Sequence, residues 1–383
     1  MNINVLNKNF ERIAVVDVYE SLMWCVRYND IGALDLEIDA TIENLQIFKK
    51  GFYISRNDDK HIFRIEAIEI STNDENNNVL LIGGLDLISI LNQRVITKHF
   101  SSTQKLSDFI KTIINNEFSN ERLLDFPIQV EVQNDVVLFR ETTEDYVGNL
   151  LLTICKNEEL KCDFYFENGN YKIIISTIAD RTAIQNKNIR IIFSNNNDNL
   201  ISSKYNVNTT NYKNVVFIYT EKGTKANGVF TGVAKGIERR ELIIKSSNND
   251  ANNNSLIYEG EQKLVEASIT TSFENEVDSL FYKYKTDYNV GDIVTIQNDF
   301  GISANVRISE IIETWDNMGY SLEPKFEYLE EVINITDAIL TEDTEELLTE
   351  NVELLLIENS PIVSEDETQY IITENGLLID IEV

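Results

Sequence analysis

Most of this chain is written in short runs of β-branched and aromatic residues broken by Asn, Asp and Gly, a pattern that confines it to a mainly β architecture. In the first hundred residues such runs fall at 12–18, 21–28, 33–38 and 63–70. Their lengths suit strands, and together they predict a compact antiparallel barrel or sandwich. Residues 73–78, nearly all Asn, Asp and Glu, read as a solvated hairpin connection to a strand at 79–82, which Gly83 and Gly84 are expected to end.

Two stretches break the pattern. Within 101–119, Leu106, Phe109, Ile110, Ile113 and Ile114 recur at helical spacing, with Ser102 or Thr103 available as N-cap. A second helix is expected over 143–160, where Thr143, Glu144 and Asp145 supply a start and Val147, Leu150, Leu151 and Ile154 form the apolar stripe. Strand-like runs at 128–132, 136–139, 163–166 and 171–176 surround it. The last two are joined by Glu167-Asn168-Gly169-Asn170, whose Asn-Gly step suits the positive φ angles of a tight hairpin.

Strands return at 189–193, 215–219, 229–234, 241–245, 292–297, 305–313 and 320–325, and a second β-barrel is the natural closure. Within this region 248–254 reads as an Asn-rich loop and 260–267 as a short helix with Leu264 facing inward. The expected fold class is therefore mainly β with an α+β insertion. Two β-barrel-like domains occupy 1–97 and 189–328, a small α+β domain 98–188, and an acidic, β-prone repeat extension 329–383.

The extension follows from a repeat: Leu340-Thr341-Glu342-Asp343, Leu348-Thr349-Glu350-Asn351, Leu356-Ile357-Glu358-Asn359, Val363-Ser364-Glu365-Asp366 and Ile372-Thr373-Glu374-Asn375, at steps of 8, 8, 7 and 9 residues. Each unit couples an apolar residue and a following, mostly hydroxyl-bearing residue to Glu and then Asp or Asn, which favours strand and turn over a helical stripe, with 347–357 as a helical exception. A disordered acidic tail is the competing reading.

Charge narrows the function classes. The chain carries 33 basic and 64 acidic residues, and 16 of the acids with no base lie in 328–383. Affinity for nucleic acid rests mainly on Lys and Arg releasing counterions, so sequence-reading nucleic-acid binding is not expected, and the charge balance repels anionic lipid as well. Residues 1–10 carry no apolar core of signal-peptide type and no run of 18 apolar residues occurs, so neither export by that route nor an integral membrane segment is expected.

Chemistry-bearing constellations are missing. No His-Glu-x-x-His, phosphate-binding glycine loop, Gly-x-Ser-x-Gly or Cys-x-x-Cys occurs, and Cys25, Cys155 and Cys162 with His61 and His99 do not complete a zinc site. Glu141 and Glu144 could pair as glycosidase carboxylates, and Asp343, Glu345, Glu346 and Glu350 could hold Ca²⁺, but solvated acids explain both. His61 and His99 read as surface or loop residues, Cys155 and Cys162 as packing residues, and Trp24 and Trp315 as core or interface aromatics. No catalytic, cofactor-binding or metal-binding residue is assigned, and no cofactor is expected.

Several segments, in order, resemble a known family. They are Tyr19-Glu20-Ser21-Leu22-Met23-Trp24-Cys25-Val26-Arg27-Tyr28, Gly32-Ala33-Leu34-Asp35-Leu36-Glu37-Ile38, Gly83-Gly84-Leu85 with Leu91 and Arg94, and Asn199-Leu200-Ile201-Ser202-Ser203. Asn211-Tyr212-Lys213-Asn214-Val215, Arg239-Arg240-Glu241, Tyr288-Asn289-Val290-Gly291-Asp292-Ile293-Val294 and Gly319-Tyr320-Ser321-Leu322-Glu323-Pro324 complete the series. In order and spacing these resemble the ReqiPepy-type siphophage tail proteins over nearly all of 1–328, leaving the acidic extension outside.

The resemblance implies a virion structural protein: a tail-tip or baseplate hub, similar to the hub of contractile-tailed phages, made in the bacterial cytoplasm and placed at the distal end of the tail. It implies a homotrimeric ring of β-barrels that meets a distal tail or tube protein, spike or tail-fibre proteins and the tape measure protein, in a phage or a bacteriocin-like particle. It transmits no catalytic site. A tail-associated cell-wall hydrolase, or a receptor- or carbohydrate-binding tail module, stays open on the residues alone.

Overall fold

Alternation of apolar and polar residues builds the first part of the molecule. Between Ala33 and Asp39, Leu34, Leu36 and Ile38 are buried while Asp35 and Asp39 face solvent, the period-two signature of a half-covered strand. The structure, a computed structural model, describes residues 1–72, 78–219, 229–230, 235–246, 256, 259–261, 263–264, 267, 269–278, 281–332, 369–372 and 378–381. The expected connection at 73–78 apart from Asn78, the Asn-rich loop at 248–254 and most of the acidic repeat lie outside the described residues.

The N-terminal strands are β1 (Ile3–Leu6), β2 (Arg12–Val16), β3 (Ser21–Arg27), β4 (Ala33–Asp39), β5 (Tyr53–Arg56), β6 (Ile62–Thr72) and β7 (Asn78–Asp86), with a short helix α1 (Ile42–Ile47) capped by the Thr41 hydroxyl. The middle of the chain forms β8 (Ser101–Lys105), α2 (Leu106–Glu117), β9 (Ile128–Val132), β10 (Val137–Glu141), α3 (Val147–Asn157), β11 (Leu160–Glu167) and β12 (Asn170–Thr177). Then follow β13 (Ile192–Ser194), β14 (Leu200–Asn208), β15 (Val215–Tyr219), β16 (Val229–Phe230), β17 (Glu241–Lys245) and β18 (Thr270–Val277). The unit closes with β19 (Ile293–Gln297), β20 (Ser303–Asp316) and β21 (Gly319–Val332).

The second barrel expected for 189–328 does not close: none of the described sheets closes on itself, and the late strands instead join the early ones. One sheet of 11 strands runs β13-β19-β20-β3-β4-β7-β6-β5-β1-β2, with β21 on the other edge of β20. The hinge of this arrangement is β20, 14 residues long. Its first half pairs with β19 and its second half, from Glu310 to Trp315, pairs with β3. Register shifts between Asn305 and Val306 and between Ile308 and Glu310 bend the strand where it changes neighbour.

Gly83 and Gly84 do not end β7, which continues to Asp86. A Cβ on Gly84 would sit 3.3 Å from the Arg64 carbonyl oxygen and 3.3 Å from the Phe63 Cβ, beside a register shift between Ile65 and Ala67. The glycine is there because neighbouring strands approach closely at a bulge, not because the strand stops.

Two large cores result. The big sheet buries Trp24, Leu34, Phe63, Ile65, Val306 and Ile308 among others. A second core lies under α2 and α3, where Leu106, Phe109, Ile110, Ile113 and Ile114 are all buried, as the helical stripe requires. Each such side chain contributes about 1.5–3 kcal/mol by leaving water. Ser102 and Thr103, however, belong to β8 and pair with Arg140 and Phe139, so neither caps α2. The first-turn amide of Ser107 is satisfied instead by Asp135 Oδ1 at 2.9 Å, from a distant turn. The Asn168-Gly169 step does form the expected turn, with φ of 52° and 76°. A third, small core joins Val216, Ile218, Leu256 and the inward-facing Leu264.

Met1–Val332 constitute one unit and Ile333–Val383 another. In the second, β22 (Gln369–Ile372) pairs antiparallel with β23 (Leu378–Ile381). Among the described residues no helix is long and apolar enough to cross a membrane.

Candidate functional site: a buried charge network beside an open cleft

Where β5 meets β20, Arg56 is fully buried. Its guanidinium lies between Trp24, 4.9 Å from that ring's centroid, and Trp315, at 4.5 Å. Nη1 donates to Glu313 Oε2 at 2.9 Å, and Nη2 and Nε donate to Asp58 at 2.6 and 3.0 Å. Burial disfavours the guanidinium, yet Asp58 and Glu313 outweigh it and raise its pKa above the ordinary arginine value. The Tyr320 hydroxyl closes the group with a 3.1 Å bond to Glu313 Oε1.

The network continues through Lys285, whose ammonium is 3.7 Å from Glu313 and 2.7 Å from Asp59. Asp59 Oδ1 in turn lies 2.7 Å from His61 Nδ1. The sequence reading put His61 at the surface; it does occupy the turn before β6, but its ring is mostly buried, with an edge toward Tyr165. His99 is exposed in a loop, as expected. Burial pushes the Asp59 carboxyl up, but His61 and Lys285 prevail and hold it well below the usual carboxylate range.

Alongside the network opens a cleft of about 680 Å³, to which Asp58, Lys285, Glu313 and Tyr320 contribute together with Tyr284 and Glu323. The network thus forms one wall of a surface feature. A separate exposed apolar surface lies on the two-stranded ribbon of β8 and β10, where Val137 and Phe139 are 55% and 66% exposed. Such faces mark interaction surfaces more than catalytic ones.

The residues set aside for chemistry fall apart in space. Glu141 and Glu144 are exposed at the end of β10 and in the following loop. Cys155 and Cys162 are buried in the second core. The Cys25 thiol is buried, donates to Glu310 at 2.7 Å and is pushed up to about 12 by burial and by that carboxylate, the opposite of an activated nucleophile. Among the described residues no three His, Cys, Asp or Glu side chains are grouped to hold a metal. Asp343, Glu345, Glu346 and Glu350 lie outside the described residues.

Of the segments that carry the family resemblance, those at 19–28 and 32–38 supply β3 and β4, and three later ones brace turns. The Asn199 side chain accepts from the Ser194 amide at 2.7 Å and donates to the Ile192 carbonyl at 3.0 Å. Asn214 bridges the Glu238 carbonyl and the Arg240 amide. Asp292 accepts from Arg181 at 2.7 Å and from the Asn289 amide at 3.0 Å. Gly291 adopts φ of 95°, and a Cβ there would lie 2.9 Å from the Tyr28 ring. These are ties that set loop geometry, with no reacting group among them.

The family model for the Siphovirus ReqiPepy6 Gp37-like protein matches residues 2–326. The chain belongs to that family. Its fold is that of solved phage tail proteins. The 43 kDa tail protein of prophage MuSo2 from Shewanella oneidensis matches with a TM-score of 0.59 at 15% identity, over 85% of this chain and 98% of that one. A tail protein from Neisseria meningitidis MC58 gives 0.55 at 12% identity, over 87% and 97%. Prophage tail protein gp18 from Listeria monocytogenes EGD-e gives 0.52 at 10%, over 88% and 97%. No curated protein matches the chain.

Proposed function

We propose that the protein is a homotrimeric tail-tip hub that joins the tail tube to the spike or receptor-binding apparatus at the distal end of the virion, and lets DNA or the tape measure protein pass. The observation that carries this reading is the coverage: this chain spans 97–98% of three solved tail proteins, so its fold is a tail protein's own body and not a module borrowed by another protein. The surplus of acids supports a passage role, because a like-charged wall resists adhesion of DNA. The four-part division at 1–97, 98–188, 189–328 and 329–383 belongs to the same proposal, with the acidic extension docking a neighbouring tail protein or joining the three copies below the ring.

Light scattering coupled to size exclusion tests the assembly. Three copies per particle of the 44.0 kDa chain are expected. A monomer at all concentrations, in tails as well as in isolation, overturns the ring.

A further inference from the structure

His61 stands where the large sheet meets the layer that carries α2 and α3. Its Nδ1 is 2.7 Å from Asp59 Oδ1, on its own turn, while its Nε2 is 3.9 Å from Asp163 Oδ1, on β11 of the other layer. Lys285 faces Asp59 at 2.7 Å, Lys161 faces Asp163 at 3.2 Å, and Asp86 lies buried close by as the N-cap that accepts from the Ile88 amide. The Tyr165 ring meets the imidazole edge-on at 5.6 Å, and the Lys60 ammonium lies 5.9 Å from the centroid of the Tyr165 ring.

We propose that His61 is a proton-operated latch between the two layers: its imidazolium ties the turn before β6 to β11 through Asp59 and Asp163, and loss of the proton frees the middle of β11.

The charge balance supports this. Asp59 and Asp163, the two carboxylates within 4 Å of the imidazole, are each shared with one ammonium, Lys285 and Lys161, and the buried Asp86 adds a further carboxylate that the imidazolium offsets. Burial works against the imidazolium, but Asp59, Asp86 and Asp163 outweigh it and raise its pKa above the ordinary histidine value. Deprotonation removes that positive charge from between Asp59 and Asp163, and carboxylate repulsion then falls on Asp163. The other fastenings of β11 are its antiparallel ladder to β12 and contacts at its two ends. The Asn29 amide and the Tyr28 hydroxyl hold the Leu160 carbonyl at 2.7 and 3.1 Å, and Phe166 stacks on Phe10 at 3.6 Å. The release is therefore a local loosening of the β12 ladder at Asp163, Phe164 and Tyr165, between the two fixed ends.

Hydrogen exchange by NMR on the full chain, across the pH range in which the ring resonances of His61 titrate in the same samples, tests the latch. After correction for intrinsic exchange, protection of the Asp163–Tyr165 amides is expected to fall about tenfold further than that of the α2 amides as His61 titrates. The excess should vanish in His61→Gln and in Asp163→Asn, the latter keeping the His61–Asp59 pair intact should the first variant fold poorly. The same excess loss in Asp163→Asn, or wild-type protection that stays level with α2 while His61 loses its proton, overturns the proposal.

Discussion

Replacing Arg56 with alanine is expected to cost about 4 kcal/mol of stability, because it breaks a buried ion pair from one side. The guanidinium and Glu313 are both shielded from water, at 0% and 6% side-chain exposure, and truncation leaves the buried Glu313 carboxylate only the Tyr320 hydroxyl and the Lys285 ammonium 3.7 Å away. Asp58 adds little, since it is 54% exposed and recovers its hydration. Loss of the two aromatic faces accounts for about 1 kcal/mol of the total. The paired replacement Arg56→Met with Glu313→Leu removes both charges and should recover about 2–3 kcal/mol relative to the sum of the single changes. Urea unfolding followed by tryptophan fluorescence is the assay, and it is unusually direct, as the chain's only 2 tryptophans both contact Arg56. A loss below about 1 kcal/mol for Arg56→Ala, or strict additivity in the double variant, refutes the reasoning.

Three further outcomes are expected. Gly291→Ala places a Cβ on a residue with φ of 95° and 2.9 Å from the Tyr28 ring, and should lower stability by about 2 kcal/mol in the same urea assay, against under 0.5 kcal/mol for alanine at an unstrained surface site. Burial raises the Asp86 carboxyl from 3.8 to about 6, outweighing the opposing pull of His61 and the Ile88 amide. The native state therefore holds this proton more tightly than the unfolded chain, so the stability Asp86 contributes is full below about pH 4 and is lost as pH rises through about 6. Asp86→Asn, which can still cap Ile88, should be level with wild type at pH 4 and the more stable of the two at pH 7.5 by thermal melting, by at most about 3 kcal/mol; equal pH profiles count against it. Deleting 333–383 is expected to leave the melting of the first unit within about 1 kcal/mol of the intact chain, while binding to the neighbouring tail protein is lost; unchanged binding in a pulldown removes the docking role.

What the sequence disclosed depended on whether a signal was local. The alternation in β4, the stripe of α2 and the Asn168-Gly169 turn each declare themselves within a dozen residues, and each stands in the structure. Strands that lack an apolar face left no such mark: β8 reads Ser-Ser-Thr-Gln-Lys, so its Ser and Thr mimicked a helix cap, and β14 is largely exposed along its length. The short β1 and β5 are buried on both faces and carry polar Asn4, Ser55 and Arg56 among their apolar residues, which hides any period of two. Pairing across long separations was invisible. Arg56 finds Glu313 across 257 residues and β3 finds β20 across the whole first unit, and neither leaves a periodic trace in one sequence. His61 illustrates the same limit, since its burial comes from Asp163 and Tyr165 on β11 and not from its own neighbours. The family segments were legible as a likeness, yet only the structure gave Asn199, Asn214 and Asp292 their common task of bracing turns.

The central claim, a hub at the distal end of the tail, is tested most directly by immunogold electron microscopy on intact and partially disrupted particles, using antibodies raised against residues 1–328. The account expects gold at one end of the tail only, opposite the capsid where one is present, with labelling strengthened when the tip is opened. Gold along the tail shaft or at the capsid junction, or no gold on disrupted particles whose denatured proteins the antibody recognises on a blot, contradicts it.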